Sequence, residues 1–289
     1  MLKKISILSL LSILVAPGVA VANDGDTDAV VSSSKTRFPH GLQIGVGLSG
    51  SSGLNGFVGY ANKNFESFWA KRFGIRFDFA TTKPIESALN SAIEEVMKDG
   101  IDIGDGVSLV NGELEAKHFA GLVDFYPFGD TWFLGGWRIT GGYVTGDMKM
   151  NAGLAGSIDN LAVDGVEFDL AGQKFYYSGN SFQGDARLDW EYHGPYVGTG
   201  FDFGLFAGFK IYLDAGVVFT NRAAELSLDI PVENLYILNS STGVWENVVS
   251  KGLQSSVDNA KDIALRDAND ELQDFKFYPM VKLGFMYRF

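Results

Sequence analysis

The dominant pattern along this chain is alternation with a period of two. Leu42, Ile44, Val46 and Leu48 interleave with Gln43, Gly45, Gly47 and Ser49. Phe73, Ile75, Phe77 and Phe79 interleave with Gly74, Arg76, Asp78 and Ala80. Phe119, Val123 and Phe125 share one parity, His118 and Asp124 the other. The pattern recurs with Phe133, Trp137, Ile139 and Tyr143 against Arg138 and Thr140. It recurs with Ala186, Leu188, Trp190 and Tyr192 against Asp185, Arg187, Asp189 and Glu191. Phe209, Ile211, Leu213, Val217 and Phe219 oppose Lys210, Tyr212 and Asp214. The last run sets Phe277, Val281, Leu283, Phe285, Tyr287 and Phe289 against Lys276, Lys282 and Arg288. Side chains of successive strand residues point to opposite faces, so each run predicts a strand with one apolar and one polar face.

Soluble sandwiches alternate too. Here aromatics close the apolar faces near the strand ends, as in the girdles of a membrane barrel, and the polar face carries both signs of charge. This predicts a transmembrane antiparallel up-and-down β-barrel with the charged face turned to the lumen. Arg76, Arg138, Arg187, Lys210 and Lys282 would find partners there among Asp78, Asp124, Asp189, Glu191 and Asp214.

Connections set the strand count. Short ones are expected near 61–70, 127–131, 193–195 (His-Gly-Pro) and 220–223, with brief ones near 50–53 and 204–208. Long ones fall at 81–113, 150–183 and 231–273. This gives eight to ten strands, with ten favoured. Eight would follow if 41–61 and 209–230 each formed one long strand, which would move the long loops to the periplasmic side. With ten strands and a periplasmic N-terminus, all three long connections lie outside, the usual asymmetry of such barrels. Two of them read as helical. Residues 84–98 open with Pro84 and carry Ile85, Leu89, Ile93 and Val96 on one face before Gly100. Residues 256–274 group Val257, Ala260, Ile263, Ala264 and Leu272, and Ser255 with Asp258 has capping-box spacing. Each apolar face is expected to cap the barrel mouth.

The N-terminus changes the picture from strand-rich to exported. Lys3 and Lys4, an apolar run Ile5–Val15, Pro17-Gly18 and Ala20-Val21-Ala22 form a secretory signal over 1–22. A polar leader over 23–37 follows, then the barrel over 38–289. The apolar run is too short to span a bilayer, and no later stretch reads as a transmembrane helix.

Composition agrees: 36 Gly, 23 Phe, 11 Tyr and 5 Trp in 289 residues suit a barrel. The absence of cysteine excludes disulfides, thiolate metal sites and a cysteine nucleophile. Removing 1–22 takes the formal charge from −12 to −14, because Lys3 and Lys4 leave. Such acidity speaks against nucleic-acid partners. It suits a surface facing lipopolysaccharide through divalent cations.

The C-terminus carries the most specific signal. Phe289 ends the chain in register with Tyr287, Phe285, Leu283 and Val281, the pattern read by the outer-membrane barrel assembly machinery. With Asp124–Tyr143, Pro195–Phe201, Tyr212–Phe219 and Asp274–Phe289, the chain resembles a group of proteobacterial outer-membrane β-barrel proteins with no assigned activity, distantly similar to small barrels of the OmpA and OmpW kind. The resemblance implies fold and location, and brings no catalytic set with it.

Other motifs reduce to structure. Gly45, Gly47 and Gly50 fit G-x-G-x-x-G but lead into a strand, where a dinucleotide site needs a helix. Asp24, Asp26 and Asp28 imitate a calcium loop, yet Ala29 and Lys35 stand where Gly and Glu are required. The Asn239 sequon has no role in a bacterial outer membrane. Asp185, Asp189 and Glu191 with Arg187 read as lumen pairs. Of the three histidines, His40, His118 and His193, the last is expected at a periplasmic turn. His118, facing inward near Asp124, is the sole candidate for a hydrolase. The expectation is therefore a non-enzymatic, monomeric barrel with a largely filled lumen, without catalytic, cofactor or metal residues, serving structure or surface interaction. A narrow pore is the alternative, and a rim hydrolase built on His118 a weaker one. Membrane lipid and lipopolysaccharide are its expected surroundings.

Overall fold

The computed structural model describes residues 38–98, 101–104, 107–129, 134–156, 166–179 and 182–289. The signal and leader readings over 1–37 lie outside them. Eight strand rows close a ring through antiparallel neighbours: β1 (Leu42–Ser49), β2 (Gly53–Tyr60), β3 (Phe73–Thr81), β5 (Val107–Phe125), β6 (Trp137–Gly156), β9 (Phe182–Phe206), β10 (Phe209–Phe219) and β14 (Phe277–Arg288), which returns to β1. Closure is completed at the last residue: the Phe289 amide donates to the Leu42 carbonyl at 3.0 Å. A closed ring leaves no unpaired strand edge, the condition for crossing a bilayer with strands.

The ring has eight rows, the lower end of the expected range and not the favoured ten, for two local reasons. His193-Gly194-Pro195 is no turn. β9 runs straight through it, pairing His193 with Thr145 and Pro195 with Tyr143 of β6. The missing amide of Pro195 falls where β9 has no ladder on its other side, since β10 pairs only as far as Val218↔Tyr196. Proline is tolerated at such a gap. Residues 220–224 are likewise an in-line break: β11 (Glu225–Asp229) resumes the row along β9, with Glu225 opposite Asp189. This eight-row arrangement differs from the one weighed in the sequence, because β1 and β2 remain separate strands. All three long connections therefore stay at the end opposite the described termini.

Outward side chains of the lower barrel form an apolar band. Val46, Ile75, Phe77, Phe119, Val197 and Phe285 are each about half exposed. A membrane strand needs roughly 9–11 residues, so β9, at 25 residues, projects far beyond the bilayer. There the polarity inverts. Leu114, Met148, Trp190 and Tyr192 turn inward and are buried, while Glu113, Glu115, Lys149 and Arg187 face out. Asp185, Arg187, Asp189 and Glu191 are thus on the outer face of the projecting sheet, not in the lumen. Arg187 donates to Asn151 at 3.0 Å and Arg222 pairs with Glu191 at 2.9 Å, both at the surface.

The projecting rows are roofed by the long connections. β4 (Ile101–Gly104) pairs antiparallel with the start of β5, and a second sheet joins β7 (Val166–Leu170), β8 (Gln173–Tyr177), β12 (Leu235–Asn239) and β13 (Val244–Asn247). Phe168, Phe175, Leu235 and Ile237 of that sheet pack with Leu154, Val248, Val257 and Ala260 into one buried cluster. Helix α1 (Glu86–Met97) and helix α3 (Gln254–Leu272), preceded by the single turn α2 (Val248–Lys251), match the two expected helices to within a few residues. Pro84 sits in a 3₁₀ turn before α1, and α3 starts at Gln254 after Leu253 with no side-chain cap, so the Ser255–Asp258 box is not formed. Both helices lie where strand edges would otherwise be bare. Asn90 accepts from the Leu114 amide at 3.3 Å. Asn269 accepts from the Leu226 amide at 2.8 Å and donates to the Leu226 carbonyl at 3.2 Å. The side-chain amide imitates the next strand and satisfies buried backbone groups.

Candidate functional site

The lumen is the chemically richest place in the molecule. Inward positions of the membrane strands carry Arg76 and Asp78 (β3), His118 and Asp124 (β5), Arg138 (β6), Asp202 (β9), Asp214 (β10) and Lys282 (β14), all buried. Arg76 donates to Asp214 at 2.7 Å and pairs with Asp124 at 3.4 Å. Arg138 pairs with Asp202, Asp214 and Asp124. Lys282 donates to Asp78 at 2.7 Å, and Arg288 closes on Asp202 at 3.6 Å. Four cations thus meet four carboxylates and the net charge of these eight groups is zero. Neutral partners add hydrogen bonds: Asn55 donates to Asp78 at 2.8 Å, Tyr212 donates to Asn55 at 2.6 Å, and Thr140 donates to Asp124 at 2.6 Å. Charges this deeply buried persist only when paired and hydrogen-bonded.

Glycine makes room for the ring systems among them. Gly47 and Gly284 are cross-strand partners, and the Tyr212 hydroxyl lies so close that a Cβ on Gly47 would stand 2.6 Å from it. Tyr196 covers Gly198 and Gly216 in the same manner. Aromatic cover of strand glycines pins register in curved sheets. Above the charges, Tyr192 and Tyr278 stack with centroids 4.0 Å apart, and Trp190 meets Tyr278 edge-on at 5.3 Å. Side chains close an eight-stranded interior readily, since its bore is scarcely wider than they are.

Of the pairings expected for the lumen, Arg76, Arg138 and Lys282 find carboxylates among Asp78, Asp124 and Asp214, whereas Lys210 forms no ion pair among the described residues and has Arg288, Lys63 and Arg138 as its charged neighbours. Arg187, Asp189 and Glu191 are outside it. His118 is an inward histidine, as expected, but its partners are Ser52 and Asp78 rather than Asp124. Its Nδ1 lies 2.9 Å from the Ser52 hydroxyl and its Nε2 3.2 Å from Asp78. Serine, histidine and aspartate in series is the geometry of an activated nucleophile. Ser52 sits in the β1–β2 turn, far from His118 in sequence, and no local motif announces it. A substrate carbonyl must reach the nucleophile, however, and Ser52 is 0% exposed. Asp78 is also shared with Lys282 and Asn55, so the trio belongs to the structural network. His193 lies outward on β9, opposite Thr145. Among the described residues, no group of three or more His, Asp or Glu side chains is placed to hold a metal ion.

No family model matches the chain, and no curated protein does. Among solved structures the fold is similar to that of Acinetobacter baumannii CarO, with a TM-score of 0.50 and 13% identity over 86% of this chain and 98% of CarO. Acinetobacter baumannii CarO2 gives a TM-score of 0.50 and 12% identity over the same shares. At that identity the likeness is one of fold. The expected transmembrane β-barrel is the fold observed, whereas kinship with OmpA and OmpW gains nothing from these matches.

Proposed function

We propose that this protein is an integral outer-membrane barrel that acts as a sealed anchor, holding the β7–β8–β12–β13 sheet and its helices beyond the bilayer for surface interaction. One observation carries the reading: the lumen is crossed by a charge-neutral network in which Arg76, Arg138, Lys282 and Arg288 are each tied to carboxylates. A pore would need its fixed charges facing water. A rigid scaffold bearing extended loops is instead the usual arrangement for binding at a surface. On this reading the long connections lie outside the cell. The apolar band meets membrane lipid, and lipopolysaccharide surrounds the projecting rows. The chain works as a monomer, and the strand ending at Phe289 is the segment read by the assembly machinery. The test is single-channel recording of the refolded chain in a planar bilayer. A silent barrel, shown to be folded by heat-modifiable gel migration, is the expected result. Stable current steps would replace the anchor with a narrow pore.

A further inference from the structure

One inward cation stands outside the charge balance of the lumen. Lys210 has the inward parity of Tyr212 and Asp214 on β10, at the end of the ring where the described termini lie. It is half-buried, and among the described residues its ammonium has no hydrogen-bond or ion-pair partner. Its charged neighbours are Arg288, Lys63 and Arg138, all cations. The register explains the crowding. Lys210 stands opposite Met286 of β14, so Arg288, two residues on, shares the inward face one diagonal step away. Lys63, which follows β2, is held from elsewhere: its ammonium donates to the Gly129 carbonyl at 2.9 Å and to the Gly135 carbonyl at 2.6 Å. Lys63 and Arg288 both lie over the ring of Tyr126, 5.2 and 5.9 Å from its centroid.

Asp202, the inward carboxylate at this end, is already shared by Arg138 and Arg288. The eight groups of the network cancel, which leaves the charge of Lys210 over. Like charges on neighbouring strands cost stability, and a charge drawn out of water is stable when it is paired. One negative charge would balance Lys210. Lipid headgroups do not reach it, because Phe209 beside it faces outward, 45% exposed, and the ammonium faces the lumen. A partner must come through water at the mouth of the ring. A guanidinium fork beside an ammonium matches a carboxylate, whose two oxygens can accept from both.

We propose that this mouth binds a carboxylate, with Lys210 and Arg288 as its contacts and Lys63 adding to the positive field. The site does not depend on whether the lumen conducts; only its placing on the periplasmic side rests on the orientation proposed above. Two sources supply this chemistry. One is a solute. The other is Asp24, Asp26 and Asp28 of the same chain, upstream of β1, which starts at this mouth.

The test is urea unfolding of the refolded chain in detergent micelles, in sodium acetate and in sodium chloride at equal ionic strength. A ligand that binds only the folded state raises the midpoint in step with its concentration. The same titration is run on a chain carrying Asp24→Asn, Asp26→Asn and Asp28→Asn. Acetate is expected to raise the midpoint above that in chloride. A response in both chains identifies a solute as the ligand; a response only in the triple variant means that the chain's own carboxylates fill the mouth. In the chain that responds, the apparent acetate affinity is expected to fall about tenfold in Lys210→Met, as loss of one charge-assisted contact implies. Lys117→Met, at the projecting end, keeps the full response. No response in either chain, or an equal response in Lys210→Met, overturns the proposal. Should Lys210→Met not fold, Lys210→Gln gives the same comparison. Heat-modifiable migration of every variant separates loss of the site from failure of the barrel, and a conducting barrel would overturn the anchor reading while leaving the acetate result standing.

Discussion

Arg76 of β3 donates to Asp214 of β10 at 2.7 Å, and these two strands stand opposite each other in the eight-row ring. The pair spans the lumen. Asp214 also receives Arg138, so one carboxylate holds two guanidiniums from two walls. Removing one partner from such a buried network leaves uncompensated charge, which costs about 3–5 kcal/mol. Asp214→Ala is therefore expected to lower stability by about that amount, measured by urea unfolding in lipid vesicles. An unchanged midpoint would mean that the network contributes little.

Gly47 tests the close packing of a ring and the neighbouring backbone on a strand glycine. A methyl group there would meet the Leu283 carbonyl oxygen first, then the Tyr212 hydroxyl at 2.6 Å and the Gly284 Cα at 2.7 Å. Gly47→Ala is expected to cost about 1–3 kcal/mol, the usual range for overpacking, and to lower refolding yield. A methyl group on Gly204 of β9 would meet nothing within 4 Å, so Gly204→Ala is the matched control and is expected to refold normally. Equal yields from the two variants would contradict the steric account.

How much of this was legible in the sequence depends on which part of a strand is read. Alternation assigned Phe73–Phe79 and Phe277–Phe289 to the correct faces, because there the apolar parity is the lipid parity. On β9 the rule fails within one strand. Asp185, Asp189 and Glu191 share parity and outer face with Val197 and Phe203, yet their chemistry is opposite, because the surroundings change from water to hydrocarbon between them. Periodicity reports parity and not which side is wet. Strand length would have given the signal, since 25 residues exceed what a bilayer needs. Pro195 misled for a related reason: it reads as a turn, and only the gap in the neighbouring row shows why it is tolerated. The partnership of Ser52 with His118 is a contact across the ring, which no spacing along the chain displays.

Asn269 supports the outer assembly at one point. Its amide holds both the N–H and the carbonyl of Leu226 at the edge of the projecting sheet. Asn269→Ala leaves those backbone groups without their partner, at a cost of about 1–3 kcal/mol. The effect should be local. Hydrogen exchange of the Leu226 amide is expected to accelerate while amides of β3 within the ring stay protected. Acceleration throughout the ring would show that the projecting sheet and the barrel unfold together.

Ser52 separates chemistry from architecture. Its hydroxyl lies 2.9 Å from His118, whose other nitrogen faces Asp78 at 3.2 Å, and such a series can activate a serine. Activation is useless without access, and neither the Ser52 surface nor the His118 side chain is open to solvent. The folded chain is therefore expected to resist labelling by a fluorophosphonate probe, both in detergent and in vesicles. His118→Ala should lower stability by leaving Asp78 and Ser52 short of one partner each, about 1–3 kcal/mol by the cost of unsatisfied buried groups. Stoichiometric labelling of Ser52, lost in His118→Ala, would instead show that the barrel opens at the β1–β2 turn, and would make the trio an active nucleophile.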